Sequence, residues 1–214
     1  MSSSIQEKFG QVIIDGLTTF AQNGIPDPTK FDTNWFEHVQ EKSVRDALCD
    51  TLYGARWIYK VGLALQVKDK ELFAHVRSQV IDYVSVSETL LAEMIAHGHA
   101  KKKLMGKQWQ FKDIPFNAGD TPTKKIKWWN YASSRHAVAK QTFKWYMVVA
   151  EEEKIIDPAL AGSLEKMRQF RNTVHITERA SAAANYSLGS SAEAFKIMQS
   201  TINQTKSWFN KNKT

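Results

Sequence analysis

One cysteine, five prolines and ten glycines in 214 residues leave little to staple or interrupt this chain. The lone Cys49 excludes an internal disulfide framework and fits a reducing compartment. No apolar run approaches the roughly 20 residues that span a bilayer, so no membrane partner is expected. The opening MSSSIQEKFG has no basic stretch leading into an apolar one. A secretory signal is therefore not expected, and a cytoplasmic location is the default. No G-x-S-x-G elbow, phosphate-cradling glycine loop or paired-cysteine motif occurs, which disfavours serine-elbow hydrolases, nucleotide kinases and dinucleotide oxidoreductases. Repeats, low-complexity tracts and linkers are also missing, so residues 1–214 read as a single domain.

What the chain does have is aromatic bulk, basic charge and helical rhythm. Seven Trp and eleven Phe point to a well-filled core or to aromatic groups held out for a partner. The net charge of +7 favours polyanions, of which RNA and DNA are the commonest in a cell. Apolar residues recur at three- and four-residue steps in Ile5, Phe9, Val12, Ile13, Leu17 and Phe20, and Asn23-Gly24 with Pro26 closes that helix. A second helix is expected after the cap candidates Asp32, Thr33 and Asn34, running to about Gln66 with a break near Ser43 or Gly54. A third spans about Asp69 to Ala100. From about 101 to 133 the rhythm fails in an irregular insertion that leaves room for a hairpin. Helix resumes from Ser134 to Glu153, restarts at Asp157-Pro158 and is expected to continue to about Arg179. A last helix runs from Ser191 to Phe209. The expected fold is an all-α, up-and-down bundle of five to seven helices.

One helix carries groups suited to chemistry. In DPALAGSLEKMRQFRNTVHI, Leu160, Leu164, Met167 and Val174 share the apolar stripe. At about 100° per residue, Arg168, Arg171 and His175 collect on one edge of it, flanked by Asn172. Arg grips a phosphate through parallel charge-assisted hydrogen bonds, and His titrates near neutrality. Together they suit RNA cleavage without a metal or other cofactor: His175 takes or gives a proton while Arg168 and Arg171 hold the phosphate. The plainer reading is that Arg171 ties two helices together. Glu88, in register at the edge of the third helix's apolar face, is its candidate partner.

Those residues also carry a family resemblance. The run EEEKIIDPALAGSLEKMRQFRNTVHIT, with R-x-x-R-N-x-V-H-I at its end, resembles the last helical hairpin of the HEPN superfamily (higher-eukaryote and prokaryote nucleotide-binding proteins). SVSETLLAEMI, with Glu88 ahead of paired leucines, is similar to that family's acidic helix. The likeness spans about half the chain, residues 69–101 and 140–210. It implies an α-helical bundle that often forms a homodimer. It also implies a metal-independent endoribonuclease of toxin–antitoxin, phage-defence or RNA-processing systems, with an antitoxin or defence protein as partner. By the same likeness Arg168, Arg171, Asn172 and His175 are the catalytic set and Glu88 the supporting acid. The sequence departs from the pattern in one respect. Only three residues separate Arg171 from His175, fewer than the family's motif usually has, whereas the six between Arg168 and His175 fit. Many relatives are inactive, so a non-catalytic module binding RNA, a nucleotide or a protein stands beside the ribonuclease.

The insertion adds an RNA-binding candidate. It interleaves Lys103, Lys107, Lys124, Lys125 and Lys127 with Trp109 and Trp128, where lysines would neutralise phosphates and rings stack on unpaired bases. A solvated basic loop with its aromatics packed back is the alternative. His97 and His99 point about 200° apart on a helix and make a poor chelating pair, so no metal is expected. Ser133, Ser134, Arg135 and His136 at a helix start suit either capping or an anion.

Overall fold

The computed structural model describes residues 5–104, 131–173 and 186–212. Within them lie eight α-helices and no strand: α1 (Ile5–Gln22), α2 (Pro28–Phe31), α3 (Lys42–Ala64), α4 (Asp69–Ala100), α5 (Tyr131–Val138), α6 (Phe143–Glu152), α7 (Pro158–Asn172) and α8 (Leu188–Lys211). Seven of them have eight residues or more; α2 is a single turn. The protein is an all-α helical bundle. The expected insertion, apart from its two ends, lies outside the described residues, as does the hairpin considered for it.

Helix α4 is the axis. Its 32 residues span about 48 Å at 1.5 Å each. Val76, Val80, Tyr83, Val84, Val86, Leu90, Leu91, Met94 and Ile95 are all buried. Such a helix is apolar almost all round because it has neighbours almost all round. It packs against α3, α5, α6, α7 and α8. Helix α3 precedes it as an antiparallel neighbour, where Gly62 approaches His75 so closely that a Cβ would lie 3.3 Å from the imidazole. Helix α8 runs beside it in the same direction. Ser191 donates to Gln79 at 2.5 Å, Tyr83 meets Phe195 edge-on at 5.3 Å, and His97 lies 4.8 Å from Phe209.

The ends of the elements follow from local chemistry. Asp157 caps α7 by accepting from the Leu160 N–H at 2.7 Å, with Pro158 in the first turn. Ser187 and Ser190 form a capping box on α8. Gly24 supplies the left-handed φ of 77° that turns the chain after α1.

The helix expected from Asp32 to Gln66 breaks beside Ser43, one of its two expected points, and the one expected from Ser134 to Glu153 divides as well. The segment after Asp32 makes a five-residue π turn, Asp32–Phe36, and α3 begins only at Lys42. The intervening His38 and Val39 are buried, and Arg45 donates to the Val39 carbonyl at 2.7 Å, so tertiary contacts hold the break. Helix α3 then passes through Gly54 uninterrupted. Likewise α5 and α6 are separate, because Thr142 caps α6 by accepting from the Trp145 N–H at 3.2 Å. The apolar stripe of α1 is only partly used. That helix packs chiefly on α3, leaving Val12, Ile13 and Phe20 exposed. Among the described residues no helix is long and apolar enough to cross a membrane.

Candidate functional site

Helix α7 stops at Asn172, where the Thr173 N–H turns back to the Phe170 carbonyl at 3.2 Å. The Thr173 hydroxyl also donates to that carbonyl at 2.7 Å and shares a 2.8 Å hydrogen bond with Tyr186. Tyr186 is buried between Phe170 and Phe73, with ring centroids 4.5 and 4.4 Å away. Beyond Thr173 the expected extension to Arg179 lies outside the described residues. His175 lies outside the described residues.

The other members of the set are placed. Leu160, Ala161, Leu164 and Met167 anchor α7 in the core and leave Arg168 and Arg171 at its margin. Arg171 reaches across to α4, where Nη1 donates to Glu88 Oε2 at 2.5 Å. The pair is open to solvent, with 32% of the Arg171 side chain and 28% of that of Glu88 exposed. Arg168 instead turns to its own helix, with Nε and Nη2 both donating to Glu165 at 2.8 Å. Those hydrogen bonds hold the Glu165 carboxyl down at about 2. Asn172 lies against Arg168, its side-chain amide 3.3 Å from both Nη1 and the Arg168 carbonyl; both contacts are satisfied when the oxygen faces Nη1 and the nitrogen the carbonyl. The structure thus joins Glu88 with Arg171 and Asn172 with Arg168, and gives each guanidinium its own carboxylate.

Of the insertion residues, Lys103 is described. Its N–H donates to the Gly98 carbonyl at 2.9 Å in the turn that ends α4. Lys107, Trp109, Lys124, Lys125, Lys127 and Trp128 lie outside the described residues.

A second polar cluster was not singled out from the sequence. Glu93, 5% exposed, accepts from the Tyr131 hydroxyl and from Arg135 Nε, the latter at 2.7 Å. Arg135 also pairs with Glu41 at 3.5 Å. Burial, then the hydrogen bond to Glu93, pushes the Tyr131 phenol well above its ordinary range. Arg135 is thus committed to carboxylates, and Ser134 to His99 Nδ1 at 2.9 Å, which leaves the start of α5 a poor anion site. The signal was present in the register: Glu93 shares a face of α4 with Leu90, Ala96 and His97, and a carboxylate on that buried face demands a partner. His97 is itself buried, with Nε2 unpartnered among the described residues, and burial lowers its pKa. No group of three or more His, Cys, Asp or Glu capable of holding a metal occurs among the described residues.

Comparison of the chain with protein-family models, with curated proteins and with solved structures finds no match.

Proposed function

We propose that this protein is a HEPN-like, metal-independent endoribonuclease whose phosphate clamp is Arg171, held from α4 by Glu88. The observation that carries the reading is that solvent-open pair. Only Nη1 of Arg171 is engaged by Glu88, so the rest of the guanidinium fork can meet a phosphate while the carboxylate fixes its direction. An ion pair this exposed adds little to stability, which leaves a ligand as the better reason for two charges at a helix margin. In this reading Arg168 and Asn172 form the flank of the clamp. His175, four positions along the chain from Arg171, supplies the proton transfer that 2′-hydroxyl attack on phosphorus requires. The basic, aromatic insertion bearing Lys103, Lys107, Trp109, Lys124, Lys125, Lys127 and Trp128 contributes RNA affinity. A cytoplasmic toxin or phage-defence effector, dimeric and restrained by a partner protein, is the biological setting that fits such an activity.

The test is RNA cleavage by the purified chain in EDTA. Cleavage should vanish in Arg171→Ala and in His175→Ala, with the helical circular dichroism and urea midpoint of each retained. Intact RNA with wild type, over varied substrates, ends the enzymatic reading.

A second reading has its own observation. Both guanidiniums already hold a carboxylate, Arg168 in a two-pronged bond. This favours a non-catalytic module that binds RNA, a nucleotide or a protein. It predicts that His175→Ala keeps full RNA binding and that wild type cleaves nothing.

A further inference from the structure

Two consecutive residues of α7 are held toward different parts of α4. Arg171 reaches Glu88, whereas the Phe170 ring lies 4.5 Å from that of Tyr186, which in turn meets Phe73 at 4.4 Å. Phe73 and Glu88 are fifteen residues apart on α4, roughly 22 Å at its rise per residue. The turn that carries Phe170 and Arg171 has one crowded acceptor. The Phe170 carbonyl takes the Thr173 N–H at 3.2 Å and the Thr173 hydroxyl at 2.7 Å, with the Tyr186 hydroxyl 3.3 Å away. Because the Thr173 proton goes to that carbonyl, the Thr173 oxygen is left to accept from Tyr186 at 2.8 Å. A chain of hydrogen bonds thus runs from Tyr186 through Thr173 to the peptide that joins Phe170 to Arg171.

Tyr186 stands on a firm base. It directly precedes Ser187, the N-cap of α8, whose capping box with Ser190 fixes the chain there. Ser191 then docks α8 on α4 through Gln79. The tyrosine is 3% exposed, and a phenylalanine ring would fill the same space. What the hydroxyl adds is a bond to the end of α7, where the final carbonyls have no intrahelical partner. A helix end without such bonds frays, and a frayed turn cannot hold a side chain in one direction.

We propose that Tyr186 is a positioning residue for Arg171: through Thr173 its hydroxyl locks the last turn of α7 and sets the direction from which the guanidinium meets Glu88. That this direction also serves a phosphate during RNA cleavage rests on the ribonuclease reading above. Tyr186 acts only through Thr173 and the Phe170 carbonyl.

Three variants of the full chain test it. Tyr186→Phe keeps the ring and removes the hydroxyl, Thr173→Val removes the relay, and Thr173→Ser keeps it. Two properties are measured in each: rotation of the Arg171 guanidinium, by NMR of its isotope-labelled nitrogens, and kcat and KM for RNA cleavage in EDTA. Rotation should quicken in Tyr186→Phe and Thr173→Val toward the rate in Glu88→Ala, and stay as in wild type in Thr173→Ser. In the first two kcat should fall roughly ten- to hundredfold with KM unchanged, the mark of a misdirected group rather than a lost contact. Combining them should be no worse than either alone, since both cut one chain. A merely structural tyrosine would lower the urea midpoint and leave both properties of the folded protein as they were. Should Tyr186→Phe fail to fold, Thr173→Val decides. Faster rotation in a chain that cleaves no RNA ends the ribonuclease reading and supports the positioning. Rotation as slow as in wild type in Tyr186→Phe and Thr173→Val, or an active enzyme that keeps its kcat while rotation quickens, overturns the proposal.

Discussion

Two Arg–carboxylate pairs leave α4 only five residues apart, at Glu88 and at Glu93, and they do different work. The Glu88 side chain is 28% exposed and meets Arg171 in water's reach; that of Glu93 is 7% exposed and meets Arg135 with Tyr131 stacked beside it. Water screens the first pair and leaves it worth little to the fold. The second must satisfy a carboxylate that has already lost its hydration, so breaking it exposes an uncompensated charge to the core. The same residue types on the same helix are therefore a water-screened pair in one place and a structural tie in the other.

The largest effect should come from the buried pair. Arg135→Ala strands Glu93, and the urea midpoint should fall by the equivalent of about 3–5 kcal/mol. Arg135→Ala with Glu93→Leu, which removes both charges, should recover much of that loss. A cost below about 1 kcal/mol for Arg135→Ala would erase the contrast.

Next in size is an acid effect centred on His38. Its ring is 1% exposed, with Nε2 3.1 Å from the Thr205 hydroxyl and Nδ1 unpartnered among the described residues. Burial, helped by Lys206, depresses its pKa to about 4. The unfolded chain therefore takes up the proton first, and stability falls as pH drops from 6.5 to about 4, by up to about 3 kcal/mol. Asp82 opposes this. Burial raises its carboxyl to about 6, so the folded state protonates first and gains stability as pH falls from 6 to 3.8. Denaturation between pH 7 and 4 should steepen in Asp82→Asn relative to wild type, because the offset is gone. An equal or shallower slope in that variant breaks the assignment.

The contrast between the two pairs also shows what sequence can convey. Elements with a sustained apolar rhythm or their own cap were legible: α4 at Asp69–Ala100 by its rhythm, and the start of α7 at Asp157-Pro158 by its cap. The break before α3 was legible only as one of two points, near Ser43, beside which α3 begins, or at Gly54, through which α3 runs. Nothing in Glu37–Glu41 is Pro or Gly, and the chain leaves helix there because His38 and Val39 are drawn into the core. The end of α7 depends on Tyr186, thirteen residues beyond Thr173, which local periodicity cannot see. For the site, the register sufficed to couple Glu88 to Arg171, since both lie on helix margins. It missed Glu93 because that residue's partners, Tyr131 and Arg135, sit 38 and 42 residues further along the chain.

A smaller effect on stability, and a larger one on function, is expected at the exposed pair. Arg171→Ala and Glu88→Ala should each cost no more than about 1 kcal/mol in urea unfolding. Arg171→Ala should nonetheless abolish RNA cleavage. Glu88→Ala should leave a residual activity, because the guanidinium survives without its guide. If Arg171→Ala proves as destabilising as Arg135→Ala, the two pairs are alike and the functional assignment of the first is lost.

The smallest change tests whether Arg168 belongs with Arg171 or merely with its own helix. Glu165 and Arg168 are an i, i+3 pair with 33% and 24% of their side chains exposed, a geometry worth about 0.2–0.5 kcal/mol. Glu165→Gln should barely move the urea midpoint, yet it removes the negative charge and one of the two acceptor oxygens that hold Nε and Nη2 of Arg168. If that guanidinium flanks a phosphate, RNA should bind roughly two- to fivefold more tightly at low salt, and the gain should fade as added salt screens it. Unchanged or weaker RNA binding in Glu165→Gln would confine Arg168 to bracing α7, leaving Arg171 as the sole guanidinium of the clamp.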